Sequence, residues 1–210
     1  LKDFQSHGGG LVVIGKGALN NKKDKFIFDL GAKYIGPSDF DMDYVQVRKE
    51  LSNNLVSSPF ITYLPGIKSE AVEDSNILAD IKAPYFSRTL EKYNGHLYAP
   101  NKLDKENYPA VLQYNNTVFF AHDIDRIYAE NGSKVHRQLF GNTIRHLHKN
   151  LLIQTKGLPS SGRITLLHQE NKNRYVIHLL YAPPLQRGRC LIIEDVPEIH
   201  GVELNINLNK

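Results

Sequence analysis

A chain of 210 residues, 41% hydrophobic and 23% charged, carries enough apolar material for one large domain, or a medium domain with a small companion, and excludes wholesale disorder. Its 26 lysines and arginines are interleaved with 22 aspartates and glutamates rather than striped, which argues against a nucleic-acid partner. No apolar run approaches the roughly 18 residues that cross a bilayer, so no membrane partner is expected. One cysteine excludes an internal disulfide and leaves the compartment, bacterial periplasm or cytoplasm, open.

In chain order, Leu1-Lys2-Asp3-Phe4 has the look of a helix interior and begins without methionine, as expected of a piece of a longer protein. Gly8-Gly9-Gly10 stops it, and Leu11-Val12-Val13-Ile14 is an uninterrupted apolar run of the kind buried on both faces of a parallel sheet. The segment from Asp24 to Leu30 reads as a helix with Phe26, Ile27 and Leu30 on one face and Gly31 as its C-cap, continuing an α/β alternation. Four prolines between Ile35 and Pro84 break the pattern into short pieces, with strands expected at Phe60-Ile61-Thr62-Tyr63 and Ile77-Leu78-Ala79.

Asn115-Asn116 between two apolar runs predicts a tight hairpin over Ala110–Ala121, because its turn needs positive φ. From Lys134 to Leu152 the residues Val135, Leu139, Ile144, Leu147 and Leu151 recur at helical spacing opposite Arg137, Gln138, Asn142, Arg145 and Lys149. Turn-forming residues from Thr155 to Gly162 end that pattern, and four alternating strands follow, at Arg163–His168, Arg174–Tyr181, Arg189–Glu194 and Val202–Leu208. The expected organisation is an α/β domain over 1–157 and an antiparallel β domain over 158–210. About 50 residues bury too little surface to stand alone, so the second part is expected to dock on the first or on a neighbouring chain.

Candidate chemistry is sparse. Cys190 is the single possible thiol nucleophile, but it falls within a predicted strand, lacks a strand-turn-helix elbow and so fits a structural role. Gly15-Lys16-Gly17 lies where a dinucleotide-binding turn would, yet Asn20 stands in place of the third glycine, leaving an ordinary turn or an anion site. Asp39, Asp41, Asp43 and Glu50 match four ligand positions of a calcium loop, but Tyr44 occupies the glycine position. The favoured alternative has Phe40, Met42 and Tyr44 buried on a strand with the acids solvated opposite, and no metal. Glu194 and Asp195, as strand neighbours, point to opposite faces and cannot converge on one glycosidic bond. His146 and His148 lie about 200° apart around a helix, too far to share a metal.

The segment Ala83-Pro84-Tyr85-Phe86-Ser87-Arg88-Thr89, with Gly95-His96 and Pro100, resembles a stretch of the beta-galactosidase trimerisation-type domains of glycoside hydrolases. A longer match runs through Leu158-Pro159-Ser160, Ile164–Gln169, Arg174–Tyr181 and Ile193-Glu194-Asp195-Val196-Pro197, which look like the tail of bacterial beta-galactosidase or alpha-L-fucosidase proteins. The resemblance implies a class I glutamine-amidotransferase-like α/β domain, flavodoxin-like with a mostly parallel sheet flanked by helices, followed by a small antiparallel β unit. It further implies an upstream (β/α)8 barrel holding the catalytic carboxylates. The chain departs from the amidotransferase pattern by placing its cysteine in the terminal β unit, which implies a fold kept without its chemistry.

The expected function is therefore a non-catalytic structural and oligomerisation region of a glycoside hydrolase, with no cofactor. Its expected partners are the upstream barrel, further copies of itself and the glycan substrate of the parent enzyme. A carbohydrate-binding accessory module is the alternative, requiring an exposed Tyr85, Tyr93 or Tyr98 beside polar groups, and a thiol hydrolase built on Cys190 is a third. Arg88 and His96, both in the matching stretch, are the candidate ligand-binding residues, for a carboxylate or a sugar hydroxyl.

Overall fold

The computed structural model describes residues 1–103 and 108–208, which form two compact units, Leu1–Lys149 and Asn150–Lys210. The first unit begins with helix α1 (Lys2–Ser6) and strand β1 (Leu11–Ile14), then β2 (Ala32–Pro37), β3 (Tyr44–Val47), β4 (Phe60–Ile61), β5 (Ile67–Ala71), β6 (Asn76–Lys82), β7 (Pro109–Tyr114) and β8 (Thr117–Phe120). Two helices close it, α2 (Ile124–Asn131) and α3 (Lys134–Leu147). A six-stranded sheet in the order β1-β8-β7-β6-β3-β4 holds the core, while β2 and β5 pair separately as an antiparallel ribbon.

The expected flavodoxin-like sheet is overturned. Among the described residues only β1 and β8 pair in parallel, Leu11 to Thr117 through Ile14 to Phe120, and the other four neighbour pairs of the large sheet are antiparallel. The fold is a mostly β assembly with a mixed sheet and several small two-stranded sheets, not a parallel sheet flanked by helices.

The physical reason lies after β1. Instead of a crossover helix, residues 20–31 form turns stitched by an Asn20–Asp24 side-chain bond of 2.7 Å and a bridge between Leu19 and Phe26. Burial there has period two. Phe26 and Phe28 pack on the core and Leu30 is 1% exposed, whereas the intervening Ile27 is 45% exposed, so the three inward residues alternate rather than follow a helical stripe. Gly31 does take the left-handed backbone, φ +67, where a Cβ would strike the Tyr114 ring.

The Asn115-Asn116 hairpin forms as expected between β7 and β8, with Asn115 at φ 50. Each strand of that hairpin is almost wholly buried, and Val111, Leu112, Val118, Phe119 and Phe120 form the centre of the core. Helix α3 ends five residues before the expected Leu152, and its inner stripe is rotated from the apolar one. His136, Leu139, Asn142 and Thr143 are buried, while Ile144 is 37% exposed. Asn142 is tolerated inside because its amide donates to the carbonyls of Leu51 and Asn53, both at 2.7 Å.

The second unit is built from three antiparallel pairs. Strand β9 (Ile153–Lys156) pairs with β14 (Glu203–Ile206), β10 (Arg163–Gln169) with β11 (Arg174–Leu180), and β12 (Leu185–Arg187) with β13 (Cys190–Ile192). None of its described residues is buried. On the longest hairpin, register places Ile164, Leu166 and His168 opposite Leu179, Ile177 and Tyr175, and opposed residues share a face. That face is apolar and ends in a stacked His168–Tyr175 pair, 4.4 Å between ring centroids.

Candidate functional site

The most developed polar centre lies just past the end of β8, where the chain turns into α2. His122 Nε2 donates to Asp43 Oδ2 at 3.1 Å, and both side chains are essentially sealed, at 5% and 1% exposure. The second donor to that oxygen is the Gly66 N–H at 2.7 Å, while Ser38 Oγ donates to Oδ1 at 2.9 Å. Thr62 completes the cluster, its hydroxyl 2.9 Å from the carbonyl oxygens of Asp43 and Leu64. A buried carboxylate with three donors is satisfied in the way burial demands.

Asp43 is where the sequence expectation fails most clearly, since the acids after Asp39 were expected on a solvated face. Regular strand structure starts only at Tyr44, so Met42 and Asp43, adjacent in sequence, are both buried. The four calcium-loop acids disperse. Asp39 holds Lys68 Nζ with both oxygens at 2.8 Å, while Asp41 and Glu50 are exposed. Among the described residues no three histidine, cysteine or acidic side chains converge as metal ligands.

A second histidine stands close by. His136 is 2% exposed on α3, and among the described residues neither ring nitrogen reaches a partner in good hydrogen-bond geometry. Burial drives its pKa down to about 4, the neighbouring His122 adding to the effect and the nearby Ile61 backbone opposing it. Its ring packs edge-on to Phe60 at 5.5 Å and against Tyr63 at 6.0 Å. Tyr63, in turn, holds φ at +60, a costly conformation for a bulky residue, in the loop that brings Gly66 to Asp43.

The pair of Asp43 and His122 is oriented like a base and its positioning carboxylate, but among the described residues no hydroxyl or thiol hydrogen-bonds to the imidazole. Ser38 sits on the far oxygen of Asp43 instead. The arrangement acts as a clamp that ties β3, the 62–66 loop and the end of β8 together. Its residues lie 79 apart in sequence, and no local spacing signals it.

The other candidates resolve individually. The Gly15-Lys16-Gly17 turn receives an anion from within the chain, since Lys16 N–H donates to Asp123 Oδ1 at 3.1 Å and a Cβ on Gly15 would strike that carboxylate. Cys190 is exposed at the foot of a two-residue hairpin loop, with Gly188 at φ +58. Glu194 pairs with Arg187 at 2.7 Å. His146, expected on a solvated face, bonds Gln113 Oε1 at 2.7 Å, and His148 falls beyond the end of α3. Arg88 and His96 are both exposed, in an excursion whose ends are tied by Lys102 N–H to Ala83 O and Tyr85 N–H to Pro100 O. No hydrogen bond joins them. The excursion carries Tyr85, Tyr93 and Tyr98 at its surface, 54%, 68% and 39% exposed, and is fastened to β3 by Tyr44 Oη donating to Ala99 O at 2.8 Å. No helix among the described residues is long and apolar enough to cross a membrane.

No protein-family model matches the sequence, and no curated protein matches it significantly. Among solved structures, the chain superposes over 99% of its length on alpha-L-fucosidase isoenzyme 2 from Paenibacillus thiaminolyticus, with a TM-score of 0.91 and 28% identity. The chain has the fold of part of an alpha-L-fucosidase. It spans 31% of that fucosidase chain. A ThuA-like protein from Bacteroides uniformis aligns over 70% of this chain and 61% of its own at 16% identity, but a TM-score of 0.42 is too low to bear on the fold. The match supports a glycoside hydrolase-related, fucosidase-like module. The fucosidase match gives no support to the beta-galactosidase and trimerisation parts of the sequence resemblance.

Proposed function

We propose that this chain is a non-catalytic structural and oligomerisation region of a larger glycoside hydrolase of the alpha-L-fucosidase kind, whose catalytic barrel lies upstream. Its fold likeness to under a third of a fucosidase chain supports the enzyme class. The observation that carries the structural role is the second unit, in which no described residue is buried although one hairpin face is lined by Ile164, Leu166, Ile177 and Leu179. Small β units without a core gain stability by covering such a face, and each Leu or Ile taken from water contributes roughly 1.5–3 kcal/mol.

The engagement of the acids in ion pairs and buried hydrogen bonds favours the non-catalytic reading. A glycosidase brings two carboxyl groups within roughly 5–9.5 Å across one sugar, whereas Asp43 is sealed on His122, Asp39 binds Lys68, Asp80 is held by Arg48 and Glu194 by Arg187. The direct test is turnover of aryl alpha-L-fucoside and aryl beta-galactoside by the purified 210-residue chain. No hydrolysis above buffer is expected, and a saturable rate that purification does not remove would refute the proposal.

A further inference from the structure

A cavity of about 180 Å³ opens beside the Asp43 clamp, lined by Ser38, Asp39, Asp43, Lys68, Lys102 and Tyr108, with Phe40, Ile81 and Ala83 as its apolar part. Three properties define what would fit it. The formal charges of its described lining residues sum to zero, because Lys68 and Lys102 are matched by Asp39 and Asp43. Its size is below the roughly 300 Å³ at which drug-sized pockets begin, and suits a single ring rather than a chain of sugars. Its polar groups have capacity left over: Lys68 Nζ spends two contacts on Asp39, leaving a third N–H, and the Asp39 side chain is 73% exposed with lone pairs free.

An ammonium beside a carboxylate is complementary to two neighbouring hydroxyls, one accepting from Lys68 while the other donates to Asp39. The pair is fixed in place. Ser38, adjacent to Asp39, is anchored by its bond to the buried Asp43 carboxylate, and Lys68 follows Gly66 and Ile67, which are bonded to Asp43 and to Ala121 O. Lys68 also lies 5.8 Å from the Tyr108 ring centroid and Lys102 5.4 Å from that of Phe40, so each ammonium is held near an aromatic face. Ile81 and Ala83 offer the dry surface that the C–H face of a sugar ring needs.

We propose that this cavity is a secondary binding site for one neutral pyranose ring, recognised through vicinal hydroxyls by Lys68 and Asp39. The sugar class rests on the glycoside hydrolase assignment, while the neutral, ring-sized, diol-reading character rests on the cavity itself. It is separate from the exposed tyrosines of the 85–98 excursion.

The test is a titration of the isotope-labelled 210-residue chain with methyl alpha-L-fucoside and D-galactose, followed by amide chemical shifts, with inorganic phosphate as a third arm. Saturable millimolar shifts centred on Ser38, Asp39, Lys68 and Tyr108 are expected from at least one sugar. Lys68→Met and Asp39→Asn should each weaken binding about tenfold, the loss of one charge-assisted hydrogen bond, while Asp41→Asn leaves it unchanged. Asp39→Asn frees the Lys68 charge and should make the site take phosphate. Sugar shifts that never saturate, that map to Tyr85, Tyr93 and Tyr98, or that are outcompeted by phosphate in the unaltered chain would each overturn the site. None of these results bears on the turnover assay or the solution-mass measurement that test the structural role.

Discussion

His122 and Asp43 meet at 3.1 Å inside the first unit, the imidazole 5% and the carboxylate 1% exposed, and the carboxylate is the common acceptor for His122, Ser38 and Gly66. Three separate stretches of chain converge on one charged group. Removing it strands every donor at once.

Asp43→Ala should therefore destabilise the first unit by about 3–5 kcal/mol, the range for breaking a buried pair by deleting one partner. Asp43→Asn keeps the shape but turns an NH2 group toward donors, with an expected cost of about 1–3 kcal/mol. Urea unfolding followed by tyrosine fluorescence measures both. Equal, small losses would mean that the clamp contributes packing alone.

Gly66 makes a sharper case, because a Cβ there would lie 2.6 Å from His122 Nε2. Gly66→Ala should cost about 1–3 kcal/mol, the range for overpacking a filled core. In the His122→Ala background the same change should cost much less, since the obstructing ring is gone. A double-mutant cycle on midpoint stabilities reads the coupling, and strict additivity would deny that the ring sets the requirement for glycine.

His136 gives a pH dependence whose sign is fixed by its lowered pKa. Its native value of about 4 lies below the 6.5 of an exposed histidine, so the unfolded chain takes the proton first. Stability from this group is fully present above pH 6.5, falls as pH drops from 6.5 towards 4, and levels below 4. The loss across that window is on the order of 3 kcal/mol. His136→Phe should flatten that stretch of the curve, measured as urea midpoints at pH 7, 5.5 and 4, and an unchanged slope would place the titration elsewhere.

Arg48 grips Asp80 with two bonds of 2.8 Å, yet the Arg48 side chain is 45% exposed. The neighbouring Asp80 raises the Arg48 pKa further, through its hydrogen bond first, so the guanidinium stays charged. Solvent screening limits its worth, so Arg48→Ala should cost only about 1 kcal/mol. Arg48→Lys, which cannot reproduce the fork, should recover less than half of that in thermal melts.

How much of this was legible in the sequence depends on the range of the signal. The Asn115-Asn116 turn, the β1 run and the β10 and β11 strands are encoded by neighbours in sequence, and they appeared close to their expected limits. The segment from Asp24 to Leu30 misled because Phe26, Phe28 and Leu30 satisfy a period of two while Phe26, Ile27 and Leu30 mimic a helical face. With that helix gone, the parallel α/β architecture had no crossover to build it. On α3 the polar residues His136, Asn142 and Thr143 are buried beside Leu139 while Ile144 is exposed, which shifts the inner stripe away from the one an apolar pattern reads. The Asp43 clamp was illegible because its partners come from three separate stretches of the chain, and alternation assigned its carboxylate to solvent.

The central claim is that the module's exposed surfaces serve assembly, and the most direct measurement is the solution mass of the chain by light scattering across a concentration series. A 23.9 kDa chain with a partly exposed apolar hairpin face should give a mass of at least twice that value. Ile177→Lys with Leu179→Lys should return it to the single-chain mass without loss of β-sheet circular dichroism. A chain that stays at 23.9 kDa at every concentration, or an assembly untouched by both lysines, would contradict the account.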